Sequence, residues 1–154
     1  MVDKVFEDIA IVAPRFTGNA RKAIDYGLFQ KGLMDRAKGV AGYSPDEWQG
    51  LKGFVTDDFQ RVGNFKEEMS IDEMIAFLQA WSPTQHWEGS FKRVSECDNV
   101  VFLELEERIG TGAEQNAVNT ISVFQFDGAG KIHRLDVYLQ AVMGTVEKGE
   151  AYDT

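Results

Sequence analysis

One ionisable side chain stands on an otherwise apolar strand face. Over residues 100–109, Val101, Leu103, Leu105, Glu107 and Ile109 alternate with Val100, Phe102, Glu104, Glu106 and Arg108. Alternate residues of a strand share a face, so the first set turns inward and carries Glu107 with it. A carboxyl drawn away from water keeps its proton to higher pH, toward the range useful for proton transfer. A hydroxyl that donates to a developing oxyanion would complete such a site. Tyr26, on an apolar stripe of a long helical segment, can supply it. Plainer roles fit the same residues. Glu107 lies near a strand end before Gly110 and can reach water, or it can pair with Arg93, which shares the parity of Trp87 and Phe91. Tyr26 can be a core aromatic with its hydroxyl at the surface.

The remaining reactive residue types are sparse. His86 begins a strand before Trp87 and serves as an alternate proton carrier, whereas His133 precedes the polar-face Arg134. No histidines and carboxylates stand at metal-ligand spacing, so the expectation is no metal and no cofactor. The single cysteine, Cys97, lies in the polar run Ser95-Glu96-Cys97-Asp98-Asn99 and excludes an internal disulfide. Gly110-Thr111-Gly112 falls between strands and is a turn rather than a phosphate cradle. A net charge of −9 with no basic stripe argues against nucleic acid. No apolar run approaches the ~20 residues of a membrane span, and the apolar patch at 9–13 is too short for a signal-peptide core. The expectation is a cytoplasmic protein.

The elements that must position these residues follow from periodicity. Residues 3–12 form a short amphipathic segment ending before Pro14. A helix over 19–37 carries one stripe of Ala20, Ala23, Ile24, Gly27 and Leu28 and a second of Tyr26, Phe29, Leu33 and Ala37. Gly39 and Gly42 break it. Ser44-Pro45-Asp46-Glu47 and Ser70-Ile71-Asp72-Glu73 each read as a capping box that opens a helix. A short strand at 59–62 lies between those helices, and Pro83 marks the end of the second. Strands at 85–96, 100–109, 118–126 and 132–142 then follow with turn chemistry between them. Helices followed by a sheet predict an α+β fold with helices on one face. At 154 residues the expectation is one domain over 1–154.

Val123-Phe124-Gln125-Phe126-Asp127-Gly128-Ala129-Gly130-Lys131-Ile132 is an aromatic-rich strand running into a turn and Gly-Lys-Ile. With Val137-Tyr138-Leu139-Gln140 and the acidic step Val55-Thr56-Asp57-Asp58-Phe59, it resembles the nuclear transport factor 2-like superfamily. That group includes ketosteroid isomerases, limonene epoxide hydrolases and SnoaL-like polyketide cyclases. The resemblance covers about residues 19–142, and the stretch 38–48 departs from it. It implies a cystatin-like cone, a curved antiparallel sheet packed against N-terminal helices. These are signatures of a fold that hosts many reactions and some non-enzymes.

The resemblance also implies where familiar acids would stand, and this chain departs from each place. Aligned from Gly-Lys-Ile, the final-strand aspartate position falls on Val137. Asp136 is one residue away, on the other face unless a bulge intervenes. The isomerase-type base falls near Val62, Gly63 and Asn64. The arginine and aspartate of an epoxide hydrolase fall near Leu105 and Glu107. Ketosteroid isomerases work with a carboxylate base, a tyrosine and a protonated acid. By that likeness the expected catalytic pair is Glu107 and Tyr26, with Asp136 and His86 as alternates. The expected ligand wall is Phe29, Phe54, Trp81, Trp87, Phe91, Leu105, Thr120, Ser122 and Val137, suited to a small apolar or aromatic molecule. The expected activity is cofactor-free isomerase, cyclase or hydrolase chemistry, or ligand binding or dimerisation without turnover. Outward Phe102, Ile121, Val123 and Tyr138 predict a homodimer through the sheet.

Overall fold

Local chemistry sets the helical half. The computed structural model describes residues 6–142. α1 (Ile9–Val12) begins at Asp8, whose carboxylate accepts from the Ala10 N–H. Pro14 does not stop the chain there; it sits in the first turn of a 3-10 segment, Ala13–Arg15, where its missing N–H costs nothing. α2 (Gly18–Arg36) buries Ala20, Ala23, Ile24, Tyr26, Leu33 and Met34. After α2 the chain reverses through Gly39 and Gly42, both at positive φ, where a side chain would be strained. The Ser44 capping box forms, but it opens a 3-10 segment, Pro45–Gly53, rather than an α-helix. Glu47 accepts from the Ser44 N–H and is gripped by Arg36 at 3.1 and 2.9 Å. This ties the 38–48 stretch back onto α2. The Ser70 box likewise caps α3 (Ile71–Trp81), whose Ile71, Met74, Ile75 and Leu78 are buried.

The strands are β1 (Val55–Val62), β2 (Glu68–Ser70), β3 (His86–Cys97), β4 (Val100–Thr111), β5 (Glu114–Phe126) and β6 (Ile132–Gln140). They form one sheet in the order β2-β1-β6-β5-β4-β3. With the N-terminal helices it makes an α+β fold whose six-stranded sheet is curved and unclosed. The sheet departs from the sequence expectation in three ways. β1 starts four residues early, because Val55 pairs with Ile132 across the sheet. β2, too short to carry a period, pairs with β1. β1 also runs parallel to β6, so the sheet is mixed rather than wholly antiparallel.

Two bulges decide which side chains share a face. Phe91 stands opposite Leu105, but Arg93 stands opposite Glu104, leaving Lys92 as an extra residue. Beyond it the parity of β3 reverses. Arg93 is thus carried to the outer face, where it pairs with Glu104 rather than Glu107. The second bulge lies at His133, between Phe126–Ile132 and Gln125–Arg134 pairing. From there Leu135 opposes Phe124, Val137 opposes Ser122 and Leu139 opposes Thr120. Val137 therefore faces the helices and Asp136 does not. Among the described residues no helix is long and apolar enough to cross a membrane.

Candidate functional site

A cavity of about 300 Å³ lies between α2, α3 and the sheet, at the small end of the ~300–1,000 Å³ typical of ligand sites. Its wall is mostly hydrocarbon: Leu103, Leu105 and Ile109 of β4, Phe124 of β5 and Val137 of β6 on one side, Met74, Leu78 and Trp81 of α3 on the other.

Glu107 breaks that wall from β4. The indole Nε1–H of Trp87 donates to its Oε2 at 2.7 Å, and the Thr120 hydroxyl donates to its Oε1 at 2.7 Å. Protein surrounds the carboxyl, and the surface it retains is that of a cavity-lining residue. Desolvation is the dominant influence and raises its pKa. The hydrogen bonds from Thr120 and Trp87, and the charge of Arg61, pull the other way without prevailing.

Gly89 makes the Trp87 bond possible. It sits opposite Glu107 in the β3–β4 ladder, and the indole of Trp87 folds across it. A Cβ there would stand 3.0 Å from Trp87 and 3.3 Å from Leu105. Gly89→Val is therefore expected to push the indole aside and remove its hydrogen bond. That loss costs the anionic form about 1.5–3 kcal/mol and raises the Glu107 pKa further. The indole N–H resonance of Trp87 should titrate with Glu107 in the native chain and stop doing so in the variant. Unchanged titration would show that the glycine does not set this geometry.

The other polar groups of the wall can all donate, and one of them is a cation. The Tyr26 hydroxyl donates to the Met74 Sδ at 3.3 Å, and burial pushes its pKa far above the ordinary value. The Gln30 amide lies beside that hydroxyl, yet its Nε2 is buried without a hydrogen-bond partner of good geometry. Arg61 reaches the cavity from β1. Its charge favours the ionised forms of both Tyr26 and Glu107.

Of the residues singled out from sequence, Glu107, Tyr26, Trp81, Trp87, Leu105, Ser122 and Val137 line this cavity. Thr120 does not line it; it is buried and holds the Glu107 carboxylate. Three aromatics are elsewhere. Phe54 packs edge-on to Tyr26 at 5.9 Å, Phe29 lies 5.4 Å from Phe54, and Phe91 lies 5.6 Å from Phe16. They are partly buried and pack against the hydrophobic core, outside the cavity lining. Asp136 forms an ion pair with Arg134 at 2.9 Å, and His86 stands 3.7 Å from Glu88. Neither alternate lines the cavity.

Sequence reading passed over Arg61 and Gln30, although signals for both were present. Arg61 stands two residues after the buried Phe59 on one strand. Gln30 stands four residues from both Tyr26 and Met34 on α2, the spacing of one helix face. Among the described residues no three His, Cys, Asp or Glu side chains converge as a metal site would require.

No protein-family model matches the sequence, and no curated protein matches it. Solved structures do match in shape. An epoxide hydrolase of Mycobacterium tuberculosis similar to limonene epoxide hydrolase superposes with a TM-score of 0.54 at 14% identity, over 71% of this chain and 84% of that one. A protein of Jannaschia sp. CCS1 assigned to the SnoaL-like polyketide cyclases gives 0.54 at 14% identity, over 81% and 90%. A protein of Catenulispora acidiphila with a ketosteroid isomerase-like fold, in complex with trimethylamine, gives 0.52 at 12% identity, over 69% and 80%. At such identities the likeness is one of fold alone: the chain has the curved-sheet α+β architecture of nuclear transport factor 2-like proteins.

Proposed function

We propose that the cavity binds a small apolar or aromatic molecule and moves a proton on it, with Glu107 as the proton carrier. The observation that carries this reading is a desolvated carboxyl, oriented by two donors, on the wall of an otherwise apolar cavity. Burial that raises its pKa brings its proton affinity closer to neutrality, where a base is most effective. Glu107 would take the proton from a carbon beside a carbonyl and return it to another atom of the same molecule. The Tyr26 hydroxyl would meanwhile donate to the oxygen on which charge develops. Isomerisation and cyclisation both need these steps, and hydrolysis of an epoxide would use Glu107 to activate water. The fold neighbours include proteins named for each of these chemistries, which supports the class without choosing within it. The test is a screen of small ketones, epoxides and polyketide-like lactones, scored by turnover and by deuterium uptake beside the carbonyl. Glu107→Gln is the control. Activity lost in that variant supports the reading; equal activity in both removes Glu107 from the mechanism.

A second reading is ligand binding without turnover. Both Glu107 oxygens are already hydrogen-bonded within the protein, as a purely structural acid would be. A ligand bound by the native chain and by Glu107→Gln alike, with no product from either, would favour it.

We further propose a homodimer through the outer face of the sheet. Phe102, Ile121 and Tyr138 are exposed there at 40%, 38% and 62%, and Ile121 and Tyr138 are direct cross-strand partners. Sedimentation at micromolar concentration is expected to give twice the chain mass, and Ile121→Lys to halve it. A native chain that sediments as a monomer would exclude the pairing.

A further inference from the structure

The polar groups facing the cavity are unevenly matched. Glu107, the one carboxylate among them, has both oxygens occupied by protein donors. The Tyr26 hydroxyl gives its proton to a thioether sulfur, a weak acceptor. Gln30 presents a buried Nε2 beside the Tyr26 hydroxyl, with no hydrogen-bond partner of good geometry. The Arg61 guanidinium has one ion-pair contact among the described residues, Glu67 at 4.0 Å. That carboxylate is held more closely by the Phe65 N–H at 2.8 Å. Three side chains able to donate, one of them cationic, therefore meet the cavity with only weak or distant acceptors of their own. Buried donors lacking an acceptor favour any ligand that brings one.

Position adds a direction. Tyr26 and Gln30 lie together on α2, and Arg61 enters from β1 with a quarter of its side chain still exposed. The hydrocarbon wall opposite is shut off from solvent, with Leu103, Leu105 and Phe124 buried on β4 and β5. We propose that the cavity's ligand is an apolar monocarboxylate whose carboxylate is held by Arg61 and Gln30 while its hydrocarbon body fills the space between α3 and the sheet. Guanidinium and carboxylate are matched in geometry as well as charge. The proposal rests on the preceding reading only in placing the ligand in this cavity. It requires no turnover.

The test is calorimetric binding of 2-naphthoate and 2-naphthamide, near-isosteres that differ in charge. The native chain is expected to bind the acid at least about tenfold more tightly than the amide. Arg61→Met should lower affinity for the acid by at least about tenfold and leave the amide within about twofold. Arg61→Lys should fall between, retaining the charge but losing the fork. Circular dichroism establishes that each variant is folded. If Arg61→Met does not fold, the native chain and Arg61→Lys carry the comparison. Equal affinity for acid and amide, no binding of either, or discrimination that survives Arg61→Met in a folded protein would overturn the proposal. A chain that discriminates acid from amide yet transforms no carbonyl compound keeps this inference and loses the catalytic one.

Discussion

Replacing Glu107 by glutamine is expected to lower turnover by about 10²–10⁴-fold, the usual contribution of a positioned acid or base, while making the folded chain more stable at neutral pH. The two effects have one cause. Glutamine is isosteric and can keep the local bonds. Its carbonyl accepts from the Trp87 indole, and its NH₂ donates to the Thr120 hydroxyl, which can accept as well as donate. What disappears is the cost of holding an ionisable group away from water. An unfolded glutamate loses its proton near 4.5, and folded Glu107 keeps it to higher pH. Between those values the native state binds the additional proton, so stability falls as pH rises through the window. Each pH unit inside it removes at most about 1.4 kcal/mol. The melting temperatures of native chain and variant should coincide near pH 4 and diverge toward neutrality, with glutamine the higher. Parallel curves at every pH would mean that the carboxyl is not desolvated in solution.

Trp48→Ala is expected to cost about 3–5 kcal/mol, the range for removing a fully buried tryptophan. Trp48 has no exposed surface, and its Nε1–H donates to the Tyr43 hydroxyl at 2.9 Å. It belongs to the 3-10 segment Pro45–Gly53, which packs on α2, α3 and β1. The loss is a large share of the ~5–15 kcal/mol by which domains are stable. At ~2–4 °C per kcal/mol for a chain of this size, the melting temperature should drop by roughly 10 °C. Ligand affinity should fall with it, because α2 and α3 also supply the cavity wall. Denaturant unfolding measures the first effect. A change below about 1 kcal/mol would show that the segment is not part of the cooperative core.

What sequence could show depended on how local each determinant was. The boxes at Ser44 and Ser70 are satisfied by residues three positions away, so they were legible, as was the parity of β4 that turns Glu107 inward. The parity of β3 was not. One extra residue at Lys92 moved Arg93 to the opposite face, and a bulge is fixed by the neighbouring strand rather than by its own composition. The start of β1 was hidden for the same reason, since its pairing to Ile132 spans half the chain. Aromatic content did not separate lining from packing positions at Phe29, Phe54 and Phe91. These rings have the chemistry of a ligand wall but pack against the core outside the cavity lining, and residue type does not distinguish the two. Arg61 was masked by its charge. A cation on the inward side of a short strand reads as solvent-facing until a cavity is known to lie there.

Because the sheet does not close, β3 is left as a margin of twelve residues. Free backbone of that length is a template for the growth of fibrils. The chain interrupts it from within. The Lys92 bulge breaks the repeat at mid-strand, and just upstream Asp8 bridges Ser90 while the Glu7 carbonyl accepts from the Phe91 N–H at 2.7 Å. What remains on either side is about half the strand, a shorter edge than the unbroken one. The insertion that redirected Arg93 thus also breaks the regular edge on which another strand would have to pair.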